Sequence, residues 1–186
     1  MLTANDLLLS VGCKFTFAFK QNKVSGGGGI GGFGDSVIAS NCPVFGFRDG
    51  GALTLRHCSP ALANGTFVQY ADKMVTMGAT STQGFLVSDR FGGCDFTILR
   101  YKGLIVGAHV AVESEESNQR ASIAEPPKDW STVGTWSSKP YIGRWGSGPL
   151  LAFAFFEGNC VKLVALGLGG YPPTITHAEL AHTFAL

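Results

Sequence analysis

The chain has 186 residues, of which 45% are hydrophobic and only 15% charged, with a formal net charge of +1. This is the composition of one densely packed domain or two closely packed halves, and it excludes a disordered chain. The near-zero charge gives no electrostatic case for binding nucleic acid, and no apolar run reaches the ~18 residues of a membrane-spanning helix. The N-terminal MLTANDLLLSVG has no basic region and only a short apolar stretch, so it does not read as a signal peptide. Phe15, Phe17 and Phe19 then alternate with polar or small residues, the period of a strand. SGGGGIGGFG (25–34) contains G-x-G-x-x-G but leads into a strand pattern, so it reads as a loop and not as a dinucleotide site. Short strand candidates follow at 36–39, 44–47 and 52–57, the last two joined by the turn Arg48-Asp49-Gly50-Gly51. FVQY, KMVTM, GFLVS and DFTILRY continue the series. Residues 111–130 are polar, acidic and carry Pro126-Pro127, the signature of an exposed linker. STVGTW, PLLAFAFF and CVKLVALGL resume the strands, and Thr176 with Glu179 forms a capping-box pattern that predicts a C-terminal helix running to Leu186.

The expected fold class is all-β. The linker at 111–130 divides the strands into an N-terminal barrel, 1–110, and a C-terminal barrel, 131–186, ending in the helix. Periodicity alone does not exclude a single sandwich.

Ser147 lies in GRWGSGPLLAF (143–153), a glycine-rich turn ahead of an apolar run. A serine hydroxyl needs a neighbouring base, and a histidine base needs a carboxylate to orient it. His57 ends the strand pattern ALTLRH and Asp95 begins DFTILRY, so both sit where a rigid strand can aim them into a cleft. ALTLRHC, DFTILRY and GSGPLL, in that order, resemble the three active-site segments of chymotrypsin-like serine proteases. KLVALGLGG and the C-terminal stretch resemble that family's substrate-binding strand and final helix. The resemblance implies two six-stranded antiparallel β-barrels and a His57–Asp95–Ser147 triad. It places the oxyanion hole on the backbone of Trp145, Gly146 and Ser147. The substrate pocket would be lined by Tyr141, Ile142, Gly167, Leu168 and Gly169. Compactness fits the polyprotein-processing proteases of RNA viruses. That implies a polypeptide substrate, a place in the host cytoplasm, and HTFAL at the C-terminus as a cleavage junction. Trp145 stands where the family usually has glycine, and one residue is missing between Gly148 and Pro149.

Cys94 and His109 form a rival constellation. F-G-G-C followed fifteen residues later by a histidine resembles the Cys/His pair of bacterial glutamine-deamidating toxins, over 91–109. The chemistry is sound, because histidine draws a thiol toward thiolate. A third reading is an inactive double-barrel binding module. Five cysteines, at 13, 42, 58, 94 and 160, do not make a full disulfide framework. Extracellular relatives of the protease family join cysteines spaced like Cys42 and Cys58, so here these are a disulfide or two buried thiols. No metal-ligand spacing and no cofactor motif stands out. His177 and His182 read as surface residues of the terminal helix.

Overall fold

The computed structural model describes residues 2–18, 30, 32–34, 36–80, 84–112, 118–146 and 148–186. Thirteen strands run through these residues: β1 (Lys14–Ala18), β2 (Val37–Ala39), β3 (Cys42–Asp49), β4 (Ala52–His57), β5 (Gly65–Val68), β6 (Val75–Thr80), β7 (Phe85–Ser88), β8 (Asp95–Tyr101), β9 (Leu104–Val110), β10 (Trp130–Ser137), β11 (Leu150–Glu157), β12 (Cys160–Gly169) and β13 (Thr174–Ala185). Three short helices accompany them: α1 (Ala4–Leu8), α2 (Asn118–Ala124) and α3 (Lys139–Trp145). The fold is all-β in two sheets. Its strands are grouped differently from two six-stranded barrels. One barrel of eight strands closes in the order β1-β13-β12-β11-β7-β5-β3-β4, and a five-stranded sheet runs β10-β8-β9-β6-β2.

Side-chain size explains how the two sheets stack. β11 reads Leu-Leu-Ala-Phe-Ala-Phe-Phe-Glu. Leu151, Phe153 and Phe155 fill the barrel, while Leu150, Ala152 and Ala154 face outward into a second core. The outward alanines leave room for the five-stranded sheet, whose Phe96, Ile98 and Ile105 pack there. A strand buried on both faces loses the polar alternation that a half-exposed strand keeps. Inside the barrel, Gly65 and Gly46 seat Phe85: a Cβ on either would stand 2.5 Å or 2.7 Å from its ring. A third core covers the far face of the sheet, where Phe33 and Tyr101 pack on Trp130 and α2 contributes Ile123.

Two expectations are corrected by this arrangement. The C-terminal helix is instead the longest strand, β13. It pairs antiparallel with β12 from Gly169↔Thr174 to Cys160↔Ala185 and buries Ile175 and Phe184. A capping box contributes about 1 kcal/mol at one helix end, less than a ladder spanning the whole segment and burying two large side chains. Glu179, expected in that box, accepts from Arg144 and Tyr141 of α3 instead. Residues 111–130 are also not simply an exposed linker. Within them, α2 buries Ile123, donates from Gln119 Nε2 to the Lys73 carbonyl and pairs Arg120 with Asp95. Strands from either side of this segment share both sheets: β11 pairs β7, and β10 pairs β8. Most of the glycine-rich segment 25–34 lies outside the described residues.

Candidate active site

β8 and β9 form a hairpin whose turn residues, Lys102 and Gly103, both have positive φ, 47° and 81°, as a two-residue turn between twisted strands requires. Its register sets Phe96 opposite His109 and Asp95 opposite Val110. Cys94 immediately precedes β8. Cys94, Phe96 and Ile98 all belong to the core between sheet and barrel, so alternation puts Cys94 on the face that carries His109. The two are diagonal cross-strand neighbours, a relation in which Cα atoms lie about 7–8 Å apart and side chains come closer. On the other flank of β8, Trp136 of β10 stands opposite Phe96. Trp136, Phe96 and His109 therefore form one row across three strands, and Cys94 lies one step along from its centre.

His109 is 1% exposed. Its ring stacks on Phe91 at 4.4 Å and meets the edge of Tyr70 at 5.3 Å. Nδ1 lies 2.7 Å from Ser88 Oγ, and the Ser88 hydroxyl donates to the Val68 carbonyl at 2.6 Å. A serine has one proton to give. With that proton on Val68, Oγ accepts from Nδ1–H, which leaves the lone pair of the ring on Nε2. Nε2 is buried and has no partner among the described residues. Burial pushes the His109 pKa down to about 3, so the ring is neutral at physiological pH.

The turn before Cys94 is clamped. The Cys94 carbonyl accepts from the backbone N–H of Ser138 at 3.1 Å and from its hydroxyl at 2.9 Å, while Ser138 Oγ accepts from the Gly93 N–H. Gly93 has φ +115°, a conformation that needs glycine. Cys94 itself is 7% exposed, and Phe91 closes over this corner, its ring 5.1 Å from that of Trp136.

Two residues of the expected serine triad, His57 and Asp95, are described. His57 is exposed at the end of β4 in the barrel, and no hydrogen bond links it to Asp95. Asp95 is buried on the opposite face of β8 from Cys94. Its carboxylate accepts from Arg120 Nε at 2.6 Å and from Nη2 at 3.2 Å. Ser147 lies outside the described residues. Its neighbour Trp145 ends α3 and stacks on His177 of β13, 5.1 Å away, and Gly146 has φ +80°. Of the expected pocket, Tyr141 packs against Trp145, and a Cβ on Gly167 would approach the Trp145 ring to 3.1 Å. Leu168 donates its N–H to the Pro149 carbonyl, Gly169 lies against Thr176, and Ile142 is half-buried. These residues gather at the α3–β12–β13 junction. Cys42 and Cys58 are both free thiols, pushed up by burial, and Cys42 further by the neighbouring Cys58.

Sequence reasoning paired Cys94 with His109, and it did not place Ser88, Phe91 and Trp136 beside them. The available signal was Ser88 at the end of an apolar strand, followed by a tight Asp-Arg-Phe-Gly-Gly connection to Cys94. Among the described residues no group of three or more His, Cys, Asp or Glu is placed to hold a metal ion, and no helix is long and apolar enough to cross a membrane. Comparison of the sequence with protein-family models and with curated proteins finds no match.

Asp89, next to Ser88, has a buried Oδ1 without a partner among the described residues, and burial raises its pKa to about 6 against the lowering effect of Arg90. The folded state therefore keeps a proton between about pH 4 and pH 6 that the unfolded chain has lost, and Asp89 destabilises the fold as pH rises through that window. Asp89→Asn is expected to remove this penalty. Relative to wild type, the variant should gain up to about 3 kcal/mol between about pH 4 and about pH 7.5 in urea unfolding. Comparing the two proteins at each pH cancels the opposite contribution of His109, whose depressed pKa makes stability fall as pH drops.

Proposed function

We propose that the chain is a cysteine-dependent amidohydrolase of the glutamine-deamidating kind. Cys94 is the nucleophile, His109 the general base and Ser88 the residue that orients His109. The observation that carries this reading is the β8–β9 hairpin. It sets a thiol and an imidazole on one buried face, with Nδ1 committed to Ser88 and Nε2 left as an unpartnered acceptor. These positions support the reading, which needs a nucleophile, a base and a third group that fixes the base's tautomer.

The chemistry follows from those positions. His109 Nε2 takes the Cys94 proton as sulfur attacks the carbon of a side-chain carboxamide. The tetrahedral intermediate collapses, His109 returns the proton to the leaving nitrogen, and ammonia departs from a thioester. Water, deprotonated by His109, then releases the carboxylic acid and the thiol. The net change is carboxamide plus water to carboxylic acid plus ammonia. Phe91 must swing away for a substrate to enter, and that movement also readmits water. Since burial is what lowers the His109 pKa, opening returns it toward its ordinary value of about 6.5, where a general base works well.

A serine hydrolase using His57, Asp95 and Ser147 is the competing proposal, but it requires Asp95 to exchange Arg120 for His57. One experiment separates the two. Wild type, Cys94→Ser and His57→Ala proteins are incubated with a cell extract, and conversion of glutamine to glutamate residues is read by mass spectrometry. In parallel each is treated with a fluorophosphonate, and adducts are mapped. Conversion by wild type and by His57→Ala, lost in Cys94→Ser, is the expected result. Ser147 labelling that disappears in His57→Ala, with no Cys94-dependent conversion, would overturn the cysteine reading.

A further inference from the structure

Trp136 carries a buried indole N–H with no acceptor among the described residues. The side chain is 5% exposed. An unpartnered buried donor costs stability and calls for an explanation. Its position supplies one. Trp136 and His109 flank Phe96 from opposite sides in the same cross-strand row, and Cys94 is diagonal to both. The nucleophile thus has an orphaned acceptor, His109 Nε2, on one flank and an orphaned donor, Trp136 Nε1, on the other. A primary carboxamide fits between them, with a carbonyl oxygen that accepts from the indole and a nitrogen that takes the proton His109 has drawn from the thiol.

We propose that the Trp136 indole N–H binds the carbonyl oxygen of the substrate carboxamide and holds the negative charge that develops there when Cys94 attacks. This rests on the amidohydrolase reading and extends it to the group that stabilises the oxyanion. Phe91, lying against both the His109 and Trp136 rings, covers donor and acceptor together, so its displacement uncovers both at once. The indole is a donor only, which suits an oxygen gaining negative charge, while His109, having taken the thiol proton on Nε2, gives it to the leaving nitrogen.

The test uses two thiol reagents on the intact protein. Iodoacetamide carries a primary carboxamide next to its reactive carbon, whereas methyl methanethiosulfonate does not. In Trp136→Phe, alkylation of Cys94 by iodoacetamide should slow by about tenfold, the worth of one hydrogen bond to the carbonyl. Reaction with methyl methanethiosulfonate should keep its wild-type rate. Glutamine conversion should fall by about 10²–10³-fold, the effect of losing one oxyanion donor. Benzothienylalanine at position 136 replaces only the N–H by sulfur and should reproduce the Phe variant, which guards against a packing defect. Equal slowing by both reagents in both variants would mean a merely structural role and overturn the assignment. So would unchanged iodoacetamide and conversion rates. If Cys94→Ser itself keeps full conversion, the amidohydrolase reading fails, an outcome distinct from failure of the Trp136 assignment alone.

Discussion

Replacing His109 with glutamine is expected to slow Cys94-dependent glutamine conversion by about 10²–10⁴-fold, the range for loss of a positioned general base. Glutamine is close in size and keeps a polar head near Ser88, so the fold should survive, and urea unfolding checks that. The rate of Cys94 alkylation should fall too, since no base remains to draw off the thiol proton. Ser88→Ala should have a smaller effect of a different kind. Without Oγ the ring loses the partner that keeps the proton on Nδ1, and a fraction of the molecules then carry it on Nε2, where it blocks the lone pair. Ser88→Thr, which restores the hydroxyl, should recover conversion, whereas a residue needed only for its volume would show no such rescue. Conversion by His109→Gln at the wild-type rate would remove this histidine from the chemistry.

Replacing Arg120 with methionine is expected to destabilise the fold by about 3–5 kcal/mol, because it strands the Asp95 carboxylate without its partner. Asp95 has 8% of its side chain exposed and Arg120 32%, so the charge left behind is the more deeply buried one. Asp95→Ala combined with Arg120→Met should recover much of the loss, since removing both charges also removes their desolvation. Unfolding of the two single variants and the double variant completes the cycle. The activity of Asp95→Asn carries separate weight. A triad carboxylate replaced by its amide drops turnover by orders of magnitude. Glutamine conversion unaffected by Asp95→Asn, beside lowered stability, is the result expected for a carboxylate that pins α2 to the sheet.

Most strands were legible because β8 and β4 carry their patterns in full, DFTILRY and ALTLRH, and because Arg48-Asp49-Gly50-Gly51 punctuates β3 and β4 clearly. The terminal strand was not. Its ladder with β12 shifts register between Leu163 and Val164 and again between Gly167 and Leu168, and each shift resets which side chains point inward. Alternation is lost, and Thr176 with Glu179 offers a helix signal that only the partner strand overrules. The first and third helices were missed for the reverse reason, as they are short. Thr3 and Asp6 nonetheless make a reciprocal capping box at α1, and Pro140 opens α3. The way the strands share sheets was beyond local pattern altogether, because pairing β7 with β11 joins segments separated by the whole of 111–130. At the candidate site, Cys94 and His109 stand fifteen positions apart, a spacing a hairpin explains, so their shared face could be read from the sequence. Ser88 and Trp136 reach it from other strands, and only the register reveals them. The three segments of the serine motif are each well formed in sequence; His57 and Asp95 stand on different sheets, and Asp95 pairs with Arg120.

The interleaving of the two sheets has a consequence for how the molecule comes into being. β1 and β4 pair early in the sequence, but the barrel cannot close until β13 takes its place between β1 and β12. The wall against which the β8–β9 hairpin packs is built partly from Ala152, Ala154, Leu163 and Ala165, which leave the ribosome after both members of the candidate catalytic pair. During synthesis the hairpin therefore presents an apolar face covered only in part, by Val68, Leu86 and Phe91. Such long-range closure makes folding slow and exposes apolar surface to aggregation on the way. Barrel and candidate site should therefore be completed together, in one step that waits for β11, β12 and β13.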